Sequence, residues 1–224
     1  MSITAPRYSI GEEIANSITH GVGIVFSIAA LGVLTAFASV FGDVWHIVSC
    51  SIFGATLILM YTASTLYHSI PIPRAKTILR ILDHSAIFLL IAGTYTPFTL
   101  VNLRGAWGWS LFGVIWGLAL FGVVFQIILH LKSNADMRRW VIVSLGLYVA
   151  MGWAVVVAAK PLFTAVSPKG LVLLLIGGLF YTLGIVFYIW DRLPYNHAVW
   201  HIFVLGGSIS HFFAILFYVI PIGK

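Results

Sequence analysis

Seven long runs of apolar residues divide the sequence, and they constrain the fold more than any other feature. Each run holds about 20 residues, the length that an α-helix needs to cross the hydrocarbon core of a bilayer. The runs cover residues 17–40, 44–68, 81–101, 107–130, 140–159, 170–190 and 196–220. They lack the alternation of polar and apolar residues that a membrane β-barrel requires. We therefore predict an all-α membrane protein in which residues 1–224 form a single seven-transmembrane helix bundle.

The composition excludes several other classes of protein. Only 8% of the 224 residues are charged, whereas soluble domains carry about 25%. The formal net charge is +6, but the basic residues lie in the connectors and form no clustered face, so we expect no nucleic-acid partner. Cys50 is the only cysteine and lies within an apolar run, which excludes an internal disulfide and a thiolate metal cluster. The first apolar run is too long for a signal peptide, so we expect no cleaved leader.

The distribution of lysine and arginine predicts the orientation in the membrane. One side of the predicted bundle carries eight of these residues and the other side carries four. The first set is Arg7, Arg74, Lys76, Arg80, Lys132, Arg138, Arg139 and Arg192, and the second is Arg104, Lys160, Lys169 and Lys224. The positive-inside rule then places the N-terminus in the cytoplasm and the C-terminus outside. We expect a multi-pass protein of the cell (inner or plasma) membrane.

Ionisable side chains at membrane depth are costly unless they have partners, so their positions mark candidate sites. Here they gather at the end of the second run and at the starts of the first, third and seventh runs. They are Glu13, His20, His68, Asp83, His84, His197 and His201, and the polar side chains of Asn16 and Ser64 lie among them. In an up-and-down bundle these four ends share one face of the membrane. The lysine and arginine distribution identifies that face as the cytoplasmic one.

The histidine spacing within this group predicts a metal site. His197 and His201 are four residues apart, so both imidazoles project from the same face of one helix. With His68 and the carboxylate of Asp83 they offer three nitrogens and one oxygen, a set that suits Zn²⁺. Ser64 lies one turn deeper than His68 on the same helix face, where it could hydrogen-bond a metal-bound water or a substrate. For any one histidine alone, an interfacial role is an equal alternative.

The other polar residues carry weaker signals. We expect His46, His84 and His130 to be interfacial residues. His211 lies about 15 Å along the helix from His201, too far to share a metal, and is expected to form a hydrogen bond between helices. The sequence assigns no separate roles to Glu13, Asn16 and His20.

Several familiar mechanisms lack their required residues. Ala198 follows His197, where the His-Glu-x-x-His helix of zinc proteases has its glutamate base. The proton acceptor of a hydrolase must then come from another helix, and Asp83 is the best placed. A Gly-x-Ser-x-Gly elbow is absent from the sequence, which disfavours a serine hydrolase. All lysines lie in connectors or at a terminus, which excludes a retinal Schiff base.

Together these residues resemble the progestin and adiponectin receptor family, and the chain is similar to its bacterial hemolysin III branch. The resemblance covers nearly the whole chain. The motifs that carry it are Glu13-x-x-Asn16-x-x-x-His20, Ser64-x-x-x-His68, Leu82-Asp83-His84-Ser85, Leu90-Ile91-Ala92-Gly93-Thr94-Tyr95-Thr96-Pro97, His197-x-x-x-His201 and His211-Phe212.

The resemblance implies seven helices with a cytoplasmic N-terminus. It also implies a zinc ion held by His68, His197 and His201, with Asp83 and Ser64 near the zinc-bound water. The resemblance further implies kinship with membrane hydrolases of the alkaline ceramidase type, with hydrolysis of lipid amides by some eukaryotic members. For the bacterial branch it implies haemolysis or upkeep of membrane fluidity. We expect no long cytosolic N-terminal domain like that of the eukaryotic receptors, and therefore no hormone-receptor signalling.

Three hypotheses for the function follow. The first is a zinc-dependent hydrolase of a lipid amide or ester at the cytoplasmic leaflet, acting on membrane lipids such as a sphingolipid or a fatty-acyl amide or ester. Asp83 would transfer the proton and Ser64 would hold the oxyanion or the water. The second is a non-catalytic membrane sensor or regulator with structural zinc. The third, a channel, transporter or haemolytic factor, ranks last because the charged cluster stays at one face of the membrane.

Overall fold

The computed structural model describes residues 8–131 and 137–222, and of residues 130, 131 and 137–139 it describes the backbone alone. The helices are α1 (Ile10–Phe41), α2 (Val44–Ser69), α3 (Pro73–Pro97), α4 (Ala106–Leu131), α5 (Met137–Trp153), α6 (Ala159–Ala165), α7 (Pro168–Tyr188) and α8 (Asn196–Tyr218). A π-helical turn, Phe98–Asn102, extends α3, and a 3₁₀ segment, Ala154–Ala158, joins α5 to α6. Together the described helices provide seven spans long and apolar enough to cross a membrane. They include no strand, as predicted.

The first helix begins seven residues before the predicted span. Ser9 caps it, since the Ser9 hydroxyl accepts a hydrogen bond from the Glu12 backbone N–H at 3.3 Å, and the Glu12 carboxylate accepts one from the Ser9 backbone N–H at 2.8 Å. This reciprocal capping box satisfies two backbone donors that a helix start otherwise leaves unpaired. Glu13, Asn16 and His20 therefore lie on the first turns of α1, on or beside its buried face.

The third helix also begins earlier than predicted. The third predicted span starts at residue 81, but Pro73 occupies the first turn of α3, where its fixed φ suits a helix start and its missing N–H costs nothing. Lys76 and Arg80 are therefore helical. Arg80, treated as a connector residue in the sequence analysis, is buried inside the bundle with only 8% of its surface exposed.

The fifth span is interrupted, whereas a continuous helix was predicted. After Trp153 the backbone tightens into the 3₁₀ segment before α6 continues. The hydroxyl of Tyr95, from α3, lies at this break. It donates to the carbonyl of Gly152 at 2.8 Å and accepts from the backbone N–H of Val155 at 2.8 Å. A side chain from a neighbouring helix thus satisfies backbone groups that membrane lipid could not.

The helices α2 and α8 form the centre of the bundle. More than half of the residues in their apolar spans are buried, against about a fifth in α1, α4 and α7. α1 packs against both α2 and α8, α2 packs against α3, and α7 packs against α8. Close packing depends on small residues such as Gly23 of α1, whose missing side chain leaves room for the ring of Tyr61. The residues predicted to bind a metal therefore lie on the two central helices.

Candidate metal centre

Three buried histidines from the two central helices meet at one end of the bundle. His68 lies in the last turn of α2, and His197 and His201 lie in the first two turns of α8. Their ring centroids are 4.5 Å apart for the two α8 residues, and 5.0 and 5.2 Å from His68 to His197 and His201. Each offers one ligand nitrogen within 4.8 Å of the others. The three side chains are therefore positioned to hold a metal ion.

The start of α8 is fixed by a short turn that faces α1. Tyr195 precedes the helix in the left-handed backbone region, with φ of 57°, where residues other than glycine are uncommon. Its backbone N–H donates to the Glu12 carboxylate at 3.3 Å. The same glutamate that caps α1 thus joins the start of α8 to α1, two residues before His197.

A carboxylate from α1 orients His68. Nδ1 of His68 lies 2.7 Å from Oε2 of Glu13, and the other carboxylate oxygen of Glu13 accepts from Nζ of Lys76 at 2.6 Å. Lys76 also donates to the backbone carbonyl of Tyr67 at 3.1 Å. Because the carboxylate accepts a hydrogen bond from the Nδ1–H group, the lone pair of the neutral His68 imidazole lies on Nε2. That nitrogen is buried and has no hydrogen-bond partner in the described part of the chain.

His201 is oriented in the same way by the backbone of α1. Its Nδ1 lies 3.1 Å from the carbonyl oxygen of Asn16 and 3.1 Å from the hydroxyl of Thr19. Since a carbonyl can only accept, the proton of His201 lies on Nδ1 and the lone pair on Nε2. The ring of His20 stacks on that of His201, with centroids 3.4 Å apart and planes 12° apart. This stacking fixes the plane of the His201 ring.

The donor set fits a zinc ion. Zinc binds neutral imidazole nitrogens in tetrahedral sites, and a metal-ligating histidine usually donates its other N–H to a carboxylate or a carbonyl. His68 and His201 show this arrangement, with Glu13 and the Asn16 carbonyl as acceptors. Three histidine ligands leave the fourth position of a tetrahedral site open, as in catalytic zinc sites.

Ser64 and Asp83 lie beside this cluster. Both are buried, Ser64 one turn before His68 on α2 and Asp83 on α3. The Asp83 carboxylate lies within reach of the charge of His68 and of the Ser64 hydroxyl, but it is not one of the ligand atoms grouped within 4.8 Å. The Ser64 hydroxyl forms no hydrogen bond of good geometry among the described residues. Asp83 was expected to provide an oxygen ligand, and its carboxylate lies instead beside the three histidines.

Tyr8 covers the cluster from the side of the N-terminal segment. Its ring centroid lies 5.1 Å from that of His197 and 5.7 Å from that of His68. Burial raises the pKa of the Tyr8 phenol, so its hydroxyl stays protonated and able to donate. The sequence analysis missed this residue because an isolated tyrosine before a helix carries no signal of its own.

A cavity of about 620 Å³ begins at the cluster and runs into the bundle. Ser64, Asp83, His197 and His201 line its polar end. Its opposite end is lined by apolar residues near the other face of the membrane, among them Leu103, Leu162 and Phe163. Volumes of about 300–1,000 Å³ are typical of sites for small-molecule ligands, and a polar end with an apolar interior matches an amphiphile.

The remaining histidines have varied environments. His211 forms a hydrogen bond between helices, as expected, because its Nε2 lies 3.3 Å from the Leu174 carbonyl of α7. His46 pairs with Asp43 at 2.7 Å and caps the start of α2. His84, expected at the interface, is half-buried and lines the cavity. The side chain of His130 lies outside the described residues.

The fold and the cluster define a class of protein: a multi-pass helical membrane protein with three metal-competent histidines at one end of the bundle. A family model described as "Haemolysin-III related" matches residues 8–212. The chain therefore belongs to the haemolysin III-related family, as its motifs predict.

Relatives from bacteria and animals match almost the whole chain. The hemolysin-3 homolog of Bacillus subtilis (strain 168) is 48% identical over 215 residues, which cover 96% of this chain and 98% of that protein. Hemolysin-3 of Bacillus cereus is 48% identical over 212 residues, covering 95% and 94%. The human monocyte to macrophage differentiation factor is 28% identical over 212 residues, covering 91% and 83%. No solved structure matches the chain.

Proposed function

We propose that this protein is a zinc-dependent hydrolase that cleaves a lipid amide or ester at the cytoplasmic leaflet of the cell membrane. The observation that carries the proposal is the buried, unpaired Nε2 of His68 in a cluster of three histidines at the polar end of an apolar cavity. The excess of lysine and arginine on that side of the bundle supports a cytoplasmic location and a cytoplasmic N-terminus.

Zinc held by His68, His197 and His201 would lower the pKa of a bound water toward about 7 and polarise a carbonyl group. Asp83 accepts a proton at its carboxylate and returns it to the leaving group. Ser64 donates its hydroxyl to the oxygen that gains negative charge. Glu13 and the Asn16 carbonyl hold two imidazoles in the required tautomer and need not move during the reaction.

The cavity supports a lipid as the substrate. Its apolar interior would take an acyl chain, while its polar end would place the amide or ester carbonyl beside the histidines and Asp83. A substrate drawn from the membrane would reach the site without crossing bulk water. Membrane lipids are accordingly the proposed partners.

Release of fatty acid tests the proposal directly. Purified protein in detergent, loaded with zinc, is incubated with a panel of acyl amides and acyl esters, and free fatty acid is quantified by mass spectrometry. We expect turnover of at least one lipid class by the wild type and none after chelation. The Asp83→Asn variant should keep its zinc and lose turnover. If no lipid is consumed on prolonged incubation with zinc-loaded protein, the hydrolase proposal is wrong.

One observation favours a second function, that of a membrane sensor with structural zinc. The histidine cluster and the Glu13 contact join α1, α2 and α8 at one point, so a bound ion would control how these helices pack. A sensor would lose thermal stability on chelation without consuming lipid. Dye release from liposomes distinguishes both functions from the lytic activity suggested by the name of the Bacillus cereus relative.

A further inference from the structure

Arg80 is a buried cation in the wall of the cavity. It lies on α3, is 8% exposed, and lines the same cavity as Asp83 and the α8 histidines. Within residues 8–131 and 137–222 it forms no ion pair and no hydrogen bond. Its charge acts on Asp83, Tyr67 and Tyr188, and the two tyrosine rings contact His68 and His197. The guanidinium is therefore a neighbour of the metal cluster.

An unpaired guanidinium in such a place is costly. Charged groups within a membrane protein normally pair with one another or mark a ligand path, and arginine presents five donors in a fork that matches carboxylate and phosphate oxygens. Asp83 lies three residues further along α3 and could pair with Arg80 from the same face of the helix. The two side chains do not pair, and both line the cavity. The donors of Arg80 are thus available to a bound molecule.

The position of Arg80 along α3 indicates which part of a bound lipid it would contact. It lies about 4.5 Å nearer the start of α3 than Asp83 does, at 1.5 Å per residue. That is toward the membrane face at which the histidines lie, whereas the apolar part of the cavity extends the opposite way. A lipid with its acyl chain in the cavity and its carbonyl near Asp83 would bring the next group of its head toward Arg80.

We propose that Arg80 binds an anionic oxyacid group, a carboxylate or a phosphate, on the head of the lipid next to its amide or ester bond. The substrate class is then an acyl amide or ester with an anionic head. The catalytic part of this statement rests on the function proposed above, whereas the binding part does not. Arg80 is a specificity-determining residue, separate from the histidines and Asp83.

Three ether lipids that cannot be hydrolysed test the binding. They are 2-(oleyloxy)acetic acid, 2-(oleyloxy)ethanol and 2-(oleyloxy)ethyl phosphate, which share one chain and differ in the charged group. Kd values are measured on zinc-loaded protein for the wild type, Arg80→Gln, Arg80→Lys and Arg74→Gln. Arg74 is exposed on the first turn of α3, so its variant controls for attraction by the surface charge. Any direct contact of the head with zinc is present in every variant and cancels in the comparison.

We expect the wild type to bind at least one of the two anionic lipids about 10-fold to 100-fold more tightly than the neutral one, as for charge-assisted hydrogen bonds. The preferred anion distinguishes a carboxylate from a phosphate head. Arg80→Gln should lose this preference and bind the neutral lipid as before, Arg80→Lys should keep part of it, and Arg74→Gln should keep all of it. Equal binding of charged and neutral lipids by the wild type, or an unchanged preference in Arg80→Gln, overturns the inference.

Two further outcomes separate this inference from the hydrolase proposal. If the charge preference depends on Arg80 but N-oleoylglycine and other amides are never cleaved, the anion-binding role of Arg80 is confirmed and the hydrolase proposal is wrong. If N-oleoylglycine and N-oleoylethanolamine are cleaved equally by the wild type and by Arg80→Gln, the hydrolase proposal is confirmed and the proposed role of Arg80 is wrong. Should Arg80→Gln fail to fold, Arg80→Lys decides, because a lysine keeps the charge but not the two-pronged contact. A weaker charge preference in Arg80→Lys than in the wild type supports the inference, and an equal preference overturns it.

Discussion

Nδ1 of His68 lies 2.7 Å from Oε2 of Glu13, so a carboxylate on α1 orients an imidazole on α2. The two residues are 55 positions apart in the sequence. The contact leaves Nε2 of His68 as the nitrogen with a free lone pair, and it makes α1 part of the candidate metal centre although α1 provides none of the three histidines.

Removing the charge of Glu13 should weaken metal binding. In the Glu13→Gln variant the side chain is neutral and can either accept from Nδ1 of His68 or donate to it, so it no longer fixes the Nδ1 proton. Loss of such a partner typically costs about 10-fold to 100-fold in metal affinity. Competition with a zinc-binding dye measures the affinity. Asp191→Asn, at an exposed carboxylate between α7 and α8, is the matched control and should bind as the wild type does. An unchanged affinity in Glu13→Gln would refute the positioning role.

Removing the carboxylate of Asp83 should abolish turnover without releasing the metal. Asp83 lies beside the cluster but outside the ligand set, and loss of a general acid–base typically costs about 100-fold to 10,000-fold in rate. Asp83→Asn is assayed for bound zinc and for fatty-acid release on the same preparation. Wild-type turnover in this variant would exclude Asp83 as the proton acceptor, and loss of zinc would make it a ligand.

Chelation should lower the melting temperature. A ligand present at 1,000 times its Kd stabilises the folded state by about 4 kcal/mol, and here the stabilised contact would join α2 to α8. Thermal unfolding in detergent is followed with and without chelator. His197→Ala should melt at the lower temperature in both conditions, whereas His46→Ala, which alters only the cap of α2, should still respond to chelation. If chelator leaves the melting temperature of the wild type unchanged, a bound ion does not contribute to the stability of the fold.

The packing of α1 on α2 can be tested with two glycines. A Cβ atom at Gly23 would collide with the ring of Tyr61, whereas one at Gly21 would meet nothing within 4 Å. Gly23→Ala should destabilise the protein by about 1–3 kcal/mol, as overpacked cores do. Gly21→Ala should be neutral or slightly stabilising, because alanine favours a helix. Equal melting temperatures for the two variants would contradict this packing of α1 on α2.

The sequence was sufficient to predict the seven spans, because their length and apolarity depend on local composition alone. The spacing of His197 and His201 and the up-and-down order of the helices were sufficient to predict that His68 meets them. Helix starts were less predictable. Ser9 is polar, yet its side chain caps the start of α1. Proline disfavours the interior of a helix, yet the fixed φ of Pro73 suits the first turn of α3.

What the sequence could not show are contacts that depend on the packing of distant segments. Glu13 reaches both His68 and Lys76 only because α1 packs beside the end of α2 and the start of α3. The interruption after Trp153 depends on Tyr95, from a different helix. The sequence predicts Arg80 in a connector, but α3 begins at Pro73, so Arg80 lies inside the bundle. Glu13, Asn16 and His20 follow one another at helical intervals, but this spacing alone did not assign them their roles beside His68 and His201.

The zinc content of the purified protein shows whether His68, His197 and His201 hold an ion. Element-resolved mass spectrometry on the detergent-purified wild type, on His197→Ala and on His46→Ala gives the zinc content per chain. We expect about one zinc ion per chain in the wild type and in His46→Ala, and almost none in His197→Ala, since only two histidine ligands then remain. Zinc-free wild type after growth and purification with zinc, or equal zinc in all three proteins, would contradict a zinc site at these histidines.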